Sequence, residues 1–167
     1  MVFGRRKWDP APTERAGVLL ASPGAPFSSA AIRRAYELAA GEPVAVLSIL
    51  RVYGSAFGLQ NPGLMPTRRE RDAQYSIVQR AIAAVERRGG TADGQITATR
   101  SAGRTIAKVA RRRNVRYVVM DDHDTGGLRR ITEGAVTATV RRRLAGQAEL
   151  ELVTGGVKQS IRNPNGP

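Results

Sequence analysis

The most constraining feature of this sequence is the alternation of short apolar runs with longer segments in which apolar residues recur every three or four positions. Short continuous runs are typical of strands buried on both faces, and the longer pattern is typical of amphipathic helices. Alternation of the two predicts a parallel sheet whose strands are connected by helices. The alternation starts at Gly17 and ends near Thr154, so we expect one α/β domain over residues 17–154 of the 167.

Five strands are predicted, and their patterning indicates their order in the sheet. The continuous runs predict central strands at Val18 to Ala21, Val44 to Leu50 and Tyr117 to Met120. The alternating runs predict half-exposed edge strands at Ile96 to Thr99 and Glu149 to Leu152. With right-handed crossovers, this arrangement predicts a five-stranded parallel sheet of order 3-2-1-4-5 with helices on both faces.

Four helices are predicted between these strands, and residues on either side of the domain have no regular pattern. The helices run from Ser28 or Ser29 through Ala40, from about Arg69 to Arg88, from Thr105 to Arg113, and from Gly134 to Leu144. The stretch from Arg51 to Arg68 predicts a long loop that is a lid, a partner surface, or a segment packed on the sheet. We expect residues 1–16 to form a basic flexible arm and residues 155–167 a disordered tail.

The predicted strand order places a crevice at the carboxyl ends of the first and fourth strands, where the direction of winding reverses. Ser22, Pro23 and Gly24 border this crevice on one side, and the segment from Asp121 to Gly127 borders it on the other. A ligand of a doubly wound sheet is expected at such a crevice.

The charge balance favours an anionic partner. The chain has 27 basic and 14 acidic residues, a formal net charge of +13, and only three of the basic residues are lysines. Arginine binds phosphates and carboxylates through two parallel hydrogen bonds, so this excess predicts nucleic acid, an acidic protein or a phospholipid surface as partner. A GC-rich coding bias explains arginine in place of lysine, but it does not explain the shortage of acids.

Several classes of chemistry are excluded or disfavoured by the residues present. The absence of cysteine excludes disulfides, cysteine-ligated zinc and thiol nucleophiles. No serine is accompanied by a recognisable base, so we expect no enzyme. Asp121, Asp122 and Asp124 with His123 are compatible with a hard-cation site, but solvated loop acids are the interpretation we favour, with no metal. The N-terminus lacks a signal-like apolar run and Pro43 to Leu50 is too short to span a bilayer, which predicts a cytoplasmic protein.

Two interpretations apply to the arginine clusters. The triplets at 111–113 and 141–143 stand at or near predicted helix ends, where cations stabilise the helix dipole. They are also candidates for binding a polyanion. The residues proposed for partner binding are Arg111, Arg112, Arg113, Arg141, Arg142, Arg143 and the N-terminal Arg5, Arg6, Lys7 and Trp8. No zinc finger, RNA-recognition aromatic motif or helix-turn-helix pattern accompanies them, so sequence-specific reading of bases is not indicated.

Two segments resemble the universal stress protein family. YVVMDDHDTGGLRRITEGAVTATV, residues 117–140, resembles that family's fourth strand, glycine loop and last helix, and VLLASPGAPFSSAAIRRAYELA resembles its first strand and helix. The resemblance covers about residues 17–153 and implies a Rossmann-like fold of the adenine nucleotide alpha hydrolase-like type. It also implies a homodimer formed through the fifth strand, here through Leu150 and Leu152.

The same resemblance bears on nucleotide binding. The family's ATP-binding branch carries two glycines after the fourth strand, then Gly-Ser/Thr, and the four positions fall here on Asp121, Asp124, Gly134 and Ala135. Its aspartate after the first strand falls on Pro23. Carboxylates at phosphate positions are costly, at about 4 kcal/mol per like-charged pair about 4 Å apart near a protein surface. We therefore expect a degenerate pocket that does not bind ATP in the family manner.

These observations predict a non-catalytic binding module in stress response, dimeric and without cofactor, whose arginine-rich surface binds RNA, the ribosome, DNA or an acidic protein. The alternative is a stress sensor that binds ATP or a cyclic nucleotide through altered contacts. Gly24, Gly126, Gly127 and Gly134 keep this alternative open, because backbone can approach phosphates closely at glycine.

Overall fold

The computed structural model describes residues 14–52, 66–122 and 128–154, with side chains from residue 134 onward in the last range. The described residues form five strands and four helices in strict alternation. In chain order they are β1 (Val18–Ser22), α1 (Ser29–Ala39), β2 (Val44–Arg51), α2 (Arg68–Glu86), β3 (Ala92–Thr99), α3 (Ala102–Arg112), β4 (Tyr117–Asp122), α4 (Leu128–Leu144) and β5 (Glu149–Thr154).

The five strands form one parallel sheet of order β3-β2-β1-β4-β5. β1 is the central strand, because Val18 is in register with Val44 of β2 on one side and with Tyr117 of β4 on the other. β3 and β5 are the edges, as their alternating sequences predict. The predicted fold class and strand order are therefore confirmed.

The two faces of the sheet are each covered by two helices. Successive side chains of a strand point to opposite faces, so Leu19 belongs to the apolar cluster under α3 and α4, whereas Leu20 belongs to the cluster under α1 and α2. Ile106 of α3 and Val78 of α2 are fully buried members of these two clusters. The molecule therefore has an α1/α2 face and an α3/α4 face, which are the terms used below.

Three elements begin earlier than the sequence pattern predicts. α3 begins at Ala102 rather than Thr105, and β3 begins at Ala92 rather than Ile96. Small residues carry little periodic signal, but they permit close packing: a Cβ on Gly103 would lie 2.8 Å from the Cβ of Thr139 in α4. α4 begins at Leu128 rather than Gly134, which is tolerable because one glycine inside a helix costs only about 1 kcal/mol.

Helices α1 and α2 begin at side-chain caps. Ser28 is the N-cap of α1, and its Oγ accepts a hydrogen bond from the backbone N–H of Ala31 at 3.0 Å. Thr67 and Glu70 form a reciprocal capping box at the start of α2. Among the helices that the structure describes, none is both long and apolar enough to cross a membrane.

Candidate functional site

The crevice beyond β1 is lined by side chains that bond to one another. Ser22 is buried; its Oγ donates to the carbonyl of Ala25 and accepts from the backbone N–H of Gly24 at 3.2 Å. Gly24 has φ of +124°, a conformation that residues with a Cβ rarely adopt. Pro23 is half-buried between them. The turn after β1 is thus held by its own hydrogen bonds.

Gln74 of α2 closes the same region from the other side. Its Oε1 accepts from the Oγ of Ser48, and its Nε2 donates to the carbonyl of Gly24 at 3.0 Å. Ser48 is in register with Ser22 on the neighbouring strand and is fully buried. Gln74 was not among the predicted site residues, although its position one helical turn before the buried Val78 was a signal for it.

Asp121 near the end of β4 accepts hydrogen bonds at the N-terminus of α1. Its carboxylate accepts from the backbone N–H of Ser28 at 2.9 Å and from the Ser28 hydroxyl. A carboxylate at this place favourably meets the positive end of the helix dipole. Asp121 is half-buried, whereas Asp122 is exposed.

The remaining predicted pocket residues do not meet the crevice in the described part of the chain. Gly134 and Ala135 are exposed residues within α4, beyond its first turn. Backbone N–H groups beyond the first four of a helix are bonded within it and are not free to bind phosphate. Asp124, Gly126 and Gly127 lie outside the described residues, as does His123.

A separate groove of about 390 Å³ lies between the start of α3, the middle of α4 and the end of β2. It is lined by arginines from each of these elements and from the connection before α3, and the described residues contribute no carboxylate to its lining. These arginines are Arg51, Arg100, Arg104, Arg142 and Arg143. The Nε atom of Arg143 is buried and has no hydrogen-bond partner among the described residues. We call this cavity the arginine groove.

The start of α3 at the arginine groove lacks a side-chain cap. Ser101 is the N-cap residue but makes no side-chain hydrogen bond to the helix, in contrast to Thr67 and Ser28. Ser101, Ala102 and Gly103 line the groove directly. Uncapped N–H groups and the positive end of the helix dipole add to the arginine charge, so the groove is an environment for an anion.

Individual arginines within each triplet differ in their solvent exposure. Arg111, Arg112, Arg141 and Arg142 are exposed, and Arg143 is half-buried. All belong to α3 or α4, so the structure brings the two clusters to the same face of the sheet. The sequence predicted these triplets either as helix-end charges or as a polyanion-binding surface, and it gave no signal for Arg51, Arg100 and Arg104, which line the same groove as Arg142 and Arg143 in the folded chain.

The prediction that Arg113 contacts a partner is wrong. Its side chain is 1% exposed and makes two hydrogen bonds to the Asp93 carboxylate, at 2.7 and 2.6 Å. The physical reason is helical periodicity: Arg113 follows the buried Val109 by four residues and therefore lies on the inward side of α3. A buried guanidinium requires a paired carboxylate, which β3 supplies at its amino end.

At the β5 edge, Leu150 and Leu152 are half-buried and pack against the cluster under α4. Glu151 points to the other face, where both of its carboxylate oxygens accept hydrogen bonds from Arg34 of α1. The hydrogen bond that Arg34 donates to the Glu151 carboxylate raises the pKa of Arg34 above its ordinary value. The described residues leave the outer edge of β5 without a partner strand, and the predicted dimer stays a prediction.

Three predicted segments fall largely outside the described residues. They are the N-terminal Arg5, Arg6, Lys7 and Trp8, most of the loop from Arg51 to Arg68, and the tail from residue 155. Arg51 and Val52 at the start of that loop are described, and both line the arginine groove.

Comparison with known proteins agrees with the geometry. A sequence profile described as the universal stress protein family matches residues 17–145. A comparison with curated protein sequences gave no match. Among solved structures, universal stress protein UspA from Lactobacillus plantarum aligns with a TM-score of 0.63 and 15% identity over 83% of this chain and 98% of that one.

Two further neighbours were solved with nucleotides. The universal stress protein from Archaeoglobus fulgidus in complex with dAMP aligns with a TM-score of 0.60 and 16% identity, over 83% of this chain and 98% of that one. A universal stress protein in complex with cAMP aligns with a TM-score of 0.58 and 14% identity, over 86% and 100%. At these identities the structural likeness shows the fold.

Proposed function

The chain belongs to the universal stress protein family, and from that membership we propose that it is a non-catalytic binding module of a cytoplasmic stress response whose arginine-rich surface binds an anionic macromolecule. The observation that carries the proposal is the arginine groove, which collects four arginines from three elements and a fifth from the connection before α3, without a described carboxylate. Like charges held together in a concave surface raise the local potential and attract a counter-charge. An anionic partner supplies that counter-charge.

The crevice that the family resemblance assigns to ATP supports the same proposal by its contacts. Gln74, Ser22, Ser48 and the Gly24 carbonyl bond to one another there, and the Asp121 carboxylate is directed at Ser28. A polyphosphate would have to displace these bonds and approach a carboxylate, which is electrostatically unfavourable. We expect millimolar Mg-ATP to produce no saturable calorimetric signal, and a saturable one would contradict this part of the proposal.

The decisive experiment is identification of what accompanies the protein during purification without nuclease and without high salt. Absorbance near 260 nm that disappears after nuclease treatment, or a bound acidic protein found by mass spectrometry, would support an anionic macromolecule. Protein that elutes free of both, and that binds no polyanion afterwards, would refute it.

A second candidate function is a nucleotide sensor. Two of the structural neighbours were solved with dAMP and cAMP, and the arginine groove, at about 390 Å³, has the size of a small-molecule site. The two functions differ in their dependence on salt. A mononucleotide carries one or two charges and gives a shallow dependence, whereas a polyanion that contacts several arginines gives a steep one.

We further propose that the protein dimerises through the open edge of β5. An unpaired edge strand is a template for a second chain, and β5, which includes the predicted Leu150 and Leu152, is a strand over Glu149–Thr154. Light scattering after size exclusion should give twice the chain mass at micromolar concentration. A monomer under these conditions would remove the proposal.

The N-terminal arm is proposed to assist the domain. Arg5, Arg6, Lys7 and Trp8 in the arm 1–16 would add charge and a stacking surface for the same partner. Deletion of this arm should weaken binding while the domain melts at the same temperature. Equal affinity with and without the arm would show that it has no part in binding.

A further inference from the structure

Helix α3 and the part of α4 whose side chains the structure describes carry positive charge without an acidic residue of their own. Residues 100–120 and 134–148 contain no Asp or Glu. The exposed basic residues of α3 are Arg104, Lys108, Arg111 and Arg112, and those of α4 are Arg141 and Arg142. Arg113 is set apart from this group because Asp93 neutralises it in the interior.

These basic residues form one surface because the two helices are in close contact. A Cβ on Gly103 would lie 2.8 Å from the Cβ of Thr139 and 2.9 Å from the carbonyl oxygen of Val136. The seam between the helices has the arginine groove at one end. At the other end is a groove of about 360 Å³ lined by Arg111, Asn114, Gln147 and their neighbours. Both grooves therefore open along the same seam.

The length of this surface fits a short run of regularly spaced phosphates. An 11-residue helix such as α3 is about 16 Å long. Duplex nucleic acid presents one phosphate of each strand about every 3.4 Å of its helix axis, and successive phosphates are farther apart along the winding strand, so α3 spans about three of them. Arg104, Lys108 and Arg111 follow one another at intervals of four and three residues, which places them along one side of the helix.

The side chains exposed on this surface favour one class of partner over others. In the described parts of α3 and α4, the exposed residues are basic or small, such as Gly134, Ala135 and Ala138. Protein interfaces are anchored by aromatic and large apolar residues, membrane-bound helices insert such residues, and single strands stack on aromatic side chains. A phosphate backbone is bound by cationic side chains and helix N-termini without any of these.

We infer that the α3/α4 face binds double-stranded nucleic acid through its phosphate backbone and independently of base sequence. The inference rests on the proposed function and names its partner. RNA and DNA duplexes both present a phosphate backbone, and a direct comparison of their affinities shows which duplex this face binds.

The test measures fluorescence anisotropy of the full chain with an RNA duplex and a DNA duplex of the same two-turn sequence, over a series of salt concentrations. The test variant is the triple substitution R104Q/K108Q/R111Q, which removes three charges from the α3/α4 face. The matched control is R69Q/R71Q/R87Q, which removes three charges from exposed positions of the α1/α2 face. Thermal melting of both variants establishes that they are folded.

We expect tight binding of at least one duplex, with affinity falling steeply as salt increases. The test variant should lose at least tenfold in affinity, and its log–log salt slope should be shallower by up to about 2.7, from about 0.9 per phosphate contact. The control should bind within about threefold of the parent protein, since it changes net charge but not the proposed contacts. A control that loses as much as the test variant overturns the inference.

A panel of other polyanions separates failure of the inference from failure of the proposed function. Polyglutamate, anionic vesicles and a single-stranded oligonucleotide serve as probes under the same conditions. If one of these binds more tightly than both duplexes, and the test variant abolishes that binding, the inference is overturned while the proposed function stands. If no polyanion binds at low salt, both are overturned.

Discussion

The two faces of the sheet have a similar stock of arginines but differ in the acids placed beside them. On the α1/α2 face, some arginines pair with carboxylates of the same helix: Arg33 and Arg34 with Glu37, and Arg68 with Asp72. On the α3/α4 face, the buried Arg113 at the end of α3 pairs with Asp93. For the other basic residues of α3 and α4, the described part of the chain shows no carboxylate partner. Net charge of a chain therefore says little about where an anion binds; the position of the acids decides it.

The largest loss of stability should come from substitution of Asp93, the carboxylate that pairs with the buried Arg113. Asp93→Ala leaves a buried guanidinium without its partner and should lower the free energy of unfolding by about 3 kcal/mol, measured by urea denaturation. The matched control is Glu42→Ala, which removes a half-exposed partner of Arg116 and should cost under about 1 kcal/mol. Equal losses would show that burial of the Arg113 pair has no energetic weight.

The helix starts offer a second comparison. Thr67→Ala removes the side-chain cap of α2 and should cost about 1 kcal/mol, whereas Ser101→Ala at the start of α3 should cost close to nothing, because Ser101 makes no capping bond. Chemical denaturation of both variants measures the difference. A loss at Ser101 as large as that at Thr67 would contradict the description of α3 as uncapped.

Neutralising single arginines should have effects of opposite sign on the two faces. Arg34→Gln breaks the bonds to Glu151 and Glu37 and should lower stability slightly, because solvent screens these bonds at a side chain that is 41% exposed. Arg142→Gln relieves repulsion in the arginine groove and should raise stability slightly at low salt. Added salt should diminish both changes, and unchanged effects at high salt would argue against an electrostatic origin.

The smallest effect should be the response of the α2 cap to acid. The hydrogen bond from the backbone N–H of Thr67, together with that from its hydroxyl, holds the pKa of Glu70 below its ordinary value. Because the pKa of Glu70 is lowered in the folded state, the ionised Glu70 stabilises the fold at pH above its unfolded pKa. This stabilisation is lost as pH falls through the folded pKa. Carboxyl NMR titration should show the pKa of Glu70 rising in Thr67→Ala yet staying below its ordinary value, because the backbone bond remains.

Much of the fold could be predicted from the sequence because the apolar pattern of each strand indicates whether the strand is central or at an edge of the sheet. β1 and β2 are apolar on both sides and occupy the centre, while β3 and β5 alternate and occupy the edges. The start of α3 was missed because Ala102 and Gly103 have no periodic signal, whereas in the folded chain Gly103 packs closely against Thr139 of α4. That contact depends on residues some 36 positions away in the sequence.

The candidate site was predictable only in part. Arg111 and Arg141 are exposed, which is compatible with the predicted partner contacts. Arg113 was assigned wrongly because the whole triplet was assigned together, although its spacing of four residues from Val109 predicts an inward position. The arginine groove combines the ends of β2 and β3 with the middle of α4. Such an arrangement follows from the strand order and the early start of α3 together, and neither neighbouring residues nor local periodicity encode it.

In the described part of the chain, the helices of the α1/α2 face carry acids beside their arginines, whereas α3 and the described side chains of α4 include no acid, so we expect positive charge to be concentrated on the α3/α4 face. On any negatively charged solid, such as a cation-exchange bead or mica, the molecule should therefore settle in one preferred orientation. Adsorbed layers would then present the paired arginines of α1 and α2 outward, which makes the protein a natural candidate for oriented immobilisation without a chemical tag.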